Sequence, residues 1–283
     1  MSVAVNQKTN TIYVLNPGTP STVSVIDGAR CNATVNSGCG AVPPTVTVGN
    51  ASSNLAGLAV DQATDTVYVV NTADDTVSVI DGATCNGAVT SGCGQTPATV
   101  SVGHQQFGYV AVDQSTNLVY VTNQLDDTMS VIDGNTCNAT ITTSCGQAPP
   151  TVPAGANPSG VAVNPNDGTA YAVDNGGATA TFLRFVVPRR PAGVTATARH
   201  RGAMLAWGRV YSGGLPVIYH VTPSPACSGC TGLTTPSTSG VPATTVGGLA
   251  RGVTYTFTIT ATDAAGTGPA SVRSNPITIP PAG

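Results

Sequence analysis

GLAVDQATDTVYVVNTADDTVSVIDGATCNGAVTSGCGQTPATVSVG, running from Gly57 to Gly103, is one copy of a repeat that fills the first two-thirds of the chain. Tyr13, Tyr68, Tyr120 and Tyr171 mark four copies, spaced 51 to 55 residues apart. Around them stand TIYVLN, TVYVVN, LVYVTN and TAYAVDN. TVSVIDG begins at Thr22 and again at Thr76, and TMSVIDG at Thr128. CNATVNSGCG, CNGAVTSGCG and CNATITTSCG come next, and PTVTVG, ATVSVG or PTVPAG closes each unit. The fourth copy degrades after Asp174 into TATFLRFVV.

Within one copy the apolar residues alternate in short runs. Leu58 and Val60 are parted from Val67 and Val69 by the polar turn DQATDT, and Val77 and Val79 follow NTADDT. Period-two runs rich in Val and Tyr, bounded by Asn, Asp, Gly and Thr, read as antiparallel strands joined by tight turns. The pattern predicts four strands per copy, at about 57–61, 66–70, 76–80 and 98–102 in the second. Four strands per repeat at this period is the pattern of a β-propeller blade, which buries its faces only by stacking on the next blade. The expected blades are 1–48, 54–102, 107–152 and a shortened 158–187 that lacks the Cys loop.

These copies resemble the YVTN family of bacterial β-propellers, on the strand Tyr120-Val121-Thr122-Asn123, the preceding Gly160-to-Asn164 strand type and the following T-V-S-V-I-D strand. The resemblance covers residues 1–187, and the Cys-bearing loop departs from it. It implies a ring of about seven blades, of which this chain holds four, and relatives that include lactonase-like hydrolases. Met1 runs straight into SVAVNQKTNTIYVLN, with no secretory signal and no lead-in like Ala156-Asn157-Pro158-Ser159-Gly160, so the chain is expected to be clipped at its N-terminus. Four blades of a larger ring would leave two apolar faces uncovered. At on the order of 500 Å² each, roughly 12 kcal/mol of burial per face is forgone at about 25 cal/mol/Å². The expectations are a fragment, self-association with another copy through these open faces, or closure as a tight four-blade ring.

The eight cysteines pair by spacing: Cys31 with Cys39, Cys85 with Cys93, Cys137 with Cys145, and Cys227 with Cys230. Disulfides are one reading, each blade clip contributing roughly 2–3 kcal/mol by restricting the unfolded loop. Free thiols and zinc are the others; zinc would need two further ligands per pair, and the loops contain no His. Disulfides would place the protein outside the cytoplasm, extracellular or on the cell surface.

Val187-Pro188-Arg189-Arg190-Pro191 ends the repeat. Residues 191–281 carry strand-like runs at Val194, Ala203, Val217, Ala243, Thr254 and Ala270 (ASVRSNPITI), which suits an immunoglobulin-like β-sandwich. The segment resembles a bacterial fibronectin type III domain. Trp207, Tyr219 and Leu249-x-x-Gly252-x-x-Tyr255, similar to a tyrosine corner, carry that resemblance. Trp207 reads as core, and Cys227-x-x-Cys230, with no helix to lower a thiol pKa, as a structural disulfide.

Composition excludes more than it assigns. Charged residues make up 8% and the net charge is −3, so there is no basic stripe for nucleic acid; no apolar run spans a membrane. His104, His200 and His220 do not occur at metal-ligand spacing. His104, in the lead-in of the third copy, reads as a turn residue or as a ligand at the rim. Asp74-Asp75 and Asp126-Asp127 read as turn caps or as a weak calcium site, and Asp27, Asp81 and Asp133 as Asp-Gly turns. Asn32, Asn50 and Asn138 lie in N-x-S/T sequons. Glu is absent, which weighs against Glu-dependent catalysis and spares Asp. No catalytic, cofactor-binding or metal residue is assigned, and no cofactor is expected. The expectation is an all-β protein, a four-blade partial propeller plus a fibronectin-type sandwich. It would bind an unknown protein or carbohydrate without catalysis; the alternative is a lactonase-like propeller hydrolase or an accessory part of a polysaccharide-degrading glycosidase.

Overall fold

The computed structural model describes residues 2–50, 57–184, 188–210, 216–236, 242–263 and 266–280. The expected blade limits at 54 and 187, the end of the run TATFLRFVV, and the sandwich limit at 281 lie outside the described residues. The chain divides into two compact units, Met1–Arg184 and Phe185–Gly283. Both are all-β; a single 3₁₀ turn at Gln124–Asp126 is the helical structure among the described residues.

The first unit is a run of antiparallel meanders. Sheet one holds β1 (Ser2–Asn6), β2 (Thr11–Asn16), β3 (Thr22–Asp27) and β4 (Thr45–Thr47) in that order. Sheet two holds β5 (Leu58–Asp61), β6 (Thr66–Asn71), β7 (Thr76–Asp81) and β8 (Ala98–Ser101). Sheet three holds β9 (Val110–Asp113), β10 (Leu118–Asn123), β11 (Thr128–Asp133) and β12 (Thr151–Pro153). Sheet four has three strands, β13 (Pro158–Asn164), β14 (Thr169–Asp174) and β15 (Thr179–Arg184).

Side chains alternate across a strand, so each sheet has two faces to bury. Tyr13, Leu15, Val23 and Val25 of sheet one pack on Leu58, Val60, Val67 and Ile80 of sheet two. The opposite face of sheet two sends Tyr68, Val70, Val77 and Val79 against Val119, Val121 and Ile132 of sheet three. The second strands of the middle sheets are therefore dry on both sides: β6 and β10 are buried at every position, whereas β2 alternates between buried and half-buried. The leading strands lie side by side, β1 beside β5, β5 beside β9 and β9 beside β13. The stack ends on uncovered apolar faces. Val3 and Val5 are 63% and 48% exposed on one, and Tyr171, Val173 and Phe182 are 44%, 55% and 71% exposed on the other.

The second unit contains β16 (Thr195–Arg199), β17 (Gly202–Ala206), β18 (Ile218–Ser224), β19 (Thr234–Pro236), β20 (Ala243–Gly247), β21 (Thr254–Asp263), β22 (Gly266–Thr267) and β23 (Ile277–Thr278). One sheet runs β16-β17-β20 and the other β19-β18-β21-β22, with β23 on the far end of β21. Their shared core holds Trp207, Tyr219, Leu205, Val246, Phe257 and Ile259. Trp207 meets Tyr219 edge-to-face at 5.1 Å between centroids. The Tyr255 hydroxyl accepts the Ala250 N–H at 3.3 Å, pinning the turn that precedes β21.

Ala270–Ile279 differs from expectation. Only Ile277–Thr278 is a strand. Upstream, Ser271 and Ser274 take over the ladder: their N–H groups donate to Ile259 and Phe257 carbonyls, and their hydroxyls accept the N–H groups of the same two residues. A hydroxyl replaces the strand carbonyl, so the backbone need not be extended to satisfy β21.

Candidate functional site

The polar residues that the sequence brings forward gather at two edges of the first unit. At the β2–β3-type turns, the acidic pairs lash successive sheets together. Asp74 accepts the Asn50 N–H at 2.6 Å, on the segment leading into its own sheet. Asp75 accepts the N–H of Gln105, on the segment leading into the next sheet, at 2.9 Å. The third sheet repeats this: Asp126 accepts from His104 N–H at 2.7 Å and Asp127 from Asn157 N–H at 2.8 Å. Asp75 and Asp127 adopt left-handed backbone (φ 51° and 55°), which turns each carboxylate toward the neighbouring sheet. The turn-cap reading thus needs amendment: the amides capped belong to the lead-in segments, one per carboxylate, rather than to the turn itself.

His104 stands where Asn50 stands one copy earlier. The Asn50 side-chain amide donates to Asp74 at 3.0 Å, and the His104 Nδ1 meets Asp126 at 3.0 Å. Hydrogen bonding to Asp126, then the charges of Asp126 and Asp75, raise the His104 pKa; the backbone and ring contacts of His104 lower that of Asp126. His104 is therefore part of a clasp between turn and lead-in.

The outer edge carries the Cys loops. Disulfides join Cys31 to Cys39, Cys85 to Cys93 and Cys137 to Cys145, each with sequence separation 8, and Cys227 to Cys230 in the second unit. The second and third loops each cover the sheet before their own. Tyr13 donates its hydroxyl to the Cys85 carbonyl at 2.9 Å, and Tyr68 to the Cys137 carbonyl at 2.7 Å. Thr11 and Thr66 hydroxyls accept the N–H groups of Gly87 and Ala139, both at 2.9 Å. Burial, reinforced by nearby Asp carboxylates, pushes the phenols of Tyr13, Tyr68 and Tyr120 well above their ordinary range. The Asn after the first Cys is structural: Asn138 is buried, donates to the Gly134 carbonyl and accepts from the N–H of Thr140 and Ile141. That occupies the amide nitrogen of one sequon, and Asn50 spends its own on Asp74.

Asp27, Asp81 and Asp133 form Asx turns, accepting the N–H two residues on. His200 accepts from the Arg251 guanidinium at 2.9 Å, and His220 sits on the exposed face of β18. The three histidines are not brought together, and among the described residues no group of three His, Cys or Asp is placed to hold a metal ion.

The first Cys loop differs from the second at its closing end. A cleft of about 320 Å³ opens beside it, lined by Asp27, Arg30, Gly38, Ala41, Val42 and Thr90 among others. In the second loop the matching space holds the side chain of Gln95. Its oxygen accepts the Asp81 N–H at 2.8 Å, and its nitrogen donates to the Gly92 carbonyl at 2.9 Å and the Asp81 carbonyl at 3.2 Å. Aligning CGAV, CGQT and CGQA after the second Cys of each loop would have shown the Ala41-for-Gln95 exchange, but only the structure shows what Gln95 does there.

No family model matches the chain, and no curated protein matches it. Among solved structures it is similar over 34% of its length to the chicken CNTN1 FN1–FN3 domains, covering 34% of that chain at 22% identity and TM-score 0.28. An FN3tt mutant structure matches 33% of the chain, with 97% of that protein covered, at 17% identity and TM-score 0.23. Kuenenia stuttgartiensis hydrazine synthase aligns with 93% of this chain and 62% of its own, at 13% identity and TM-score 0.44. All three scores are low, and none carries an inference for this chain. No helix among the described residues is long and apolar enough to cross a membrane. Four disulfides are consistent with an extracellular setting.

Proposed function

We propose that the first unit is a run of YVTN-type propeller blades, the second a fibronectin type III sandwich, and the whole a secreted or cell-surface binding or adhesion protein without catalytic activity. The propeller reading is supported by the side-by-side leading strands and the face-to-face stacking of the sheets. The functional reading rests on one observation: the side chains best suited to chemistry are engaged in holding the blades together. Asp74, Asp75, Asp126 and Asp127 each accept a lead-in amide, and His104 is bound to Asp126. The disulfide loops, by contrast, repeat along one edge and present open surface and a cleft. The second unit serves as the spacer.

The two uncovered end faces add a partner. One bears Val3, Val5, Ile12 and Val14 and the other Tyr171, Val173 and Phe182. Inside the unit, aliphatic faces of the first kind mate with Tyr-bearing faces of the second, so the ends suit head-to-tail pairing of two copies. The test of function is incubation of the intact chain with a panel of polysaccharides, lactones and extracellular proteins. Saturable binding without turnover is expected. Release of reducing sugar or lactone opening, abolished by Asp→Asn changes, would replace this reading with the hydrolase.

A further inference from the structure

Gln95 shows what the edge of the second Cys loop holds. Its carboxamide bridges the end of β7 and the loop, accepting from Asp81 N–H and donating to the Gly92 carbonyl. In sheet one the corresponding residues are Asp27, Gly38 and Ala41, and all three line the 320 Å³ cleft. The ladder shows which way the groups point. Gly28 N–H donates to the Asn10 carbonyl, so with strand alternation the N–H of Asp27 turns away from β2 and toward the cleft. Asp27 N–H has no acceptor among the described residues, and Ala41 has no side-chain group to supply one. Gly38 lines the same cleft, and among the described residues its carbonyl accepts the Ala41 N–H alone, at 3.2 Å. Gln147, at this position in the third loop, is exposed.

We infer that the cleft beside Cys31–Cys39 binds the carboxamide side chain of a glutamine on a partner peptide, in the pose that Gln95 takes in the next blade. The ligand oxygen accepts from Asp27 N–H and its nitrogen donates to the Gly38 carbonyl. The cleft is larger than one carboxamide, and its remaining walls are apolar at Val42, Pro43 and Pro44 with one cation at Arg30. Asp27 belongs to the same lining, so the cleft carries one residue of each charge sign and suits a neutral peptide. The inference needs neither the propeller nor the adhesion reading, since it rests on the geometry of two adjacent loops.

The test is amide-resolved NMR of the full, oxidised chain titrated with acetyl-Gly-Gln-Gly-N-methylamide, and with the same peptide carrying Glu or Met in place of Gln. The Gln peptide should move the Asp27 amide resonance saturably, and the Glu and Met peptides should bind about tenfold more weakly or less, as expected for loss of one good hydrogen-bonded group. A41Q should fill the cleft from within: its Asp27 amide should shift toward the position of Asp81, and peptide binding should be lost. Q95A should open a second cleft, so that the Asp81 amide responds to the peptide as well. Equal response to all three peptides, binding retained in a folded A41Q, or an Asp27 amide that stays still at millimolar peptide would each overturn the proposal.

Discussion

His104 and Asp126 show how a repeat position can change residue type and keep its task. Asn50 and His104 both present an N–H and a side-chain nitrogen to the acidic turn of their sheet. The exchange adds a second titratable group to a clasp that already holds a carboxylate. The folded His104 pKa lies above 6.5, so its contribution is fully present below 6.5 and is lost as pH rises through the folded value. The folded Asp126 pKa lies below 3.8, so its contribution is present above 3.8 and lost as pH falls through the folded value. An NMR titration of the His104 ring should give a midpoint above 6.5 that falls back toward it in D126N; an unchanged midpoint would mean the clasp does not hold in solution. Tyr68 and Tyr171 are a second pair at one repeat position, one buried and bonded to the Cys137 carbonyl, the other 44% exposed. Tyr68→Phe should cost about 1–3 kcal/mol in urea unfolding, because it strands a buried carbonyl, and Tyr171→Phe less than about 0.5 kcal/mol. Equal losses would contradict the assigned faces.

At the scale of the element, the Cys loop does two jobs. The disulfide shortens the unfolded loop, and the loop backbone then caps the Tyr and Thr of the sheet before it. Replacing Cys85 and Cys93 together by Ala should therefore cost about 2–3 kcal/mol from the ring alone, read as a lower urea midpoint. It should also speed hydrogen exchange at Gly87, whose N–H the loop holds on Thr11; unchanged exchange there would separate the clip from the docking. Ala270–Ile279 shows the limit of pattern at this scale. Its alternating residues read as a strand, yet Ser271 and Ser274 meet β21 through hydroxyls, and no periodicity distinguishes a serine that faces solvent from one that completes a ladder.

At the scale of the whole molecule, the stack of sheets buries its inner faces and leaves its outer two open. Val3, Val5, Tyr171, Val173 and Phe182 together make an apolar surface split between two ends. Light scattering of the non-reduced chain should show concentration-dependent association, and Val5→Asp or Phe182→Asp should each return it to monomer, because one spoiled face is enough to break a head-to-tail contact. A wild-type chain that remains monomeric and binds no hydrophobic dye would show that the ends are not adhesive.

The repeat, the all-β class, the strand positions of the second copy and the cysteine pairs follow from local chemistry: alternation of Val and Tyr, Asn/Asp/Gly turns, and even Cys spacing, each written within a few residues. The strands expected at 57–61, 66–70, 76–80 and 98–102 correspond to Leu58–Asp61, Thr66–Asn71, Thr76–Asp81 and Ala98–Ser101. What the acidic pairs, His104 and Ala41 do is not written locally. Asp75 and Gln105 are thirty residues apart, Tyr13 and Cys85 seventy-two, and the meaning of Ala41 depends on a Gln in another copy. A hydrogen bond forms by distance and angle in space, and only the stacking of one sheet on the next decides which donor meets which acceptor, and where one is left without its partner.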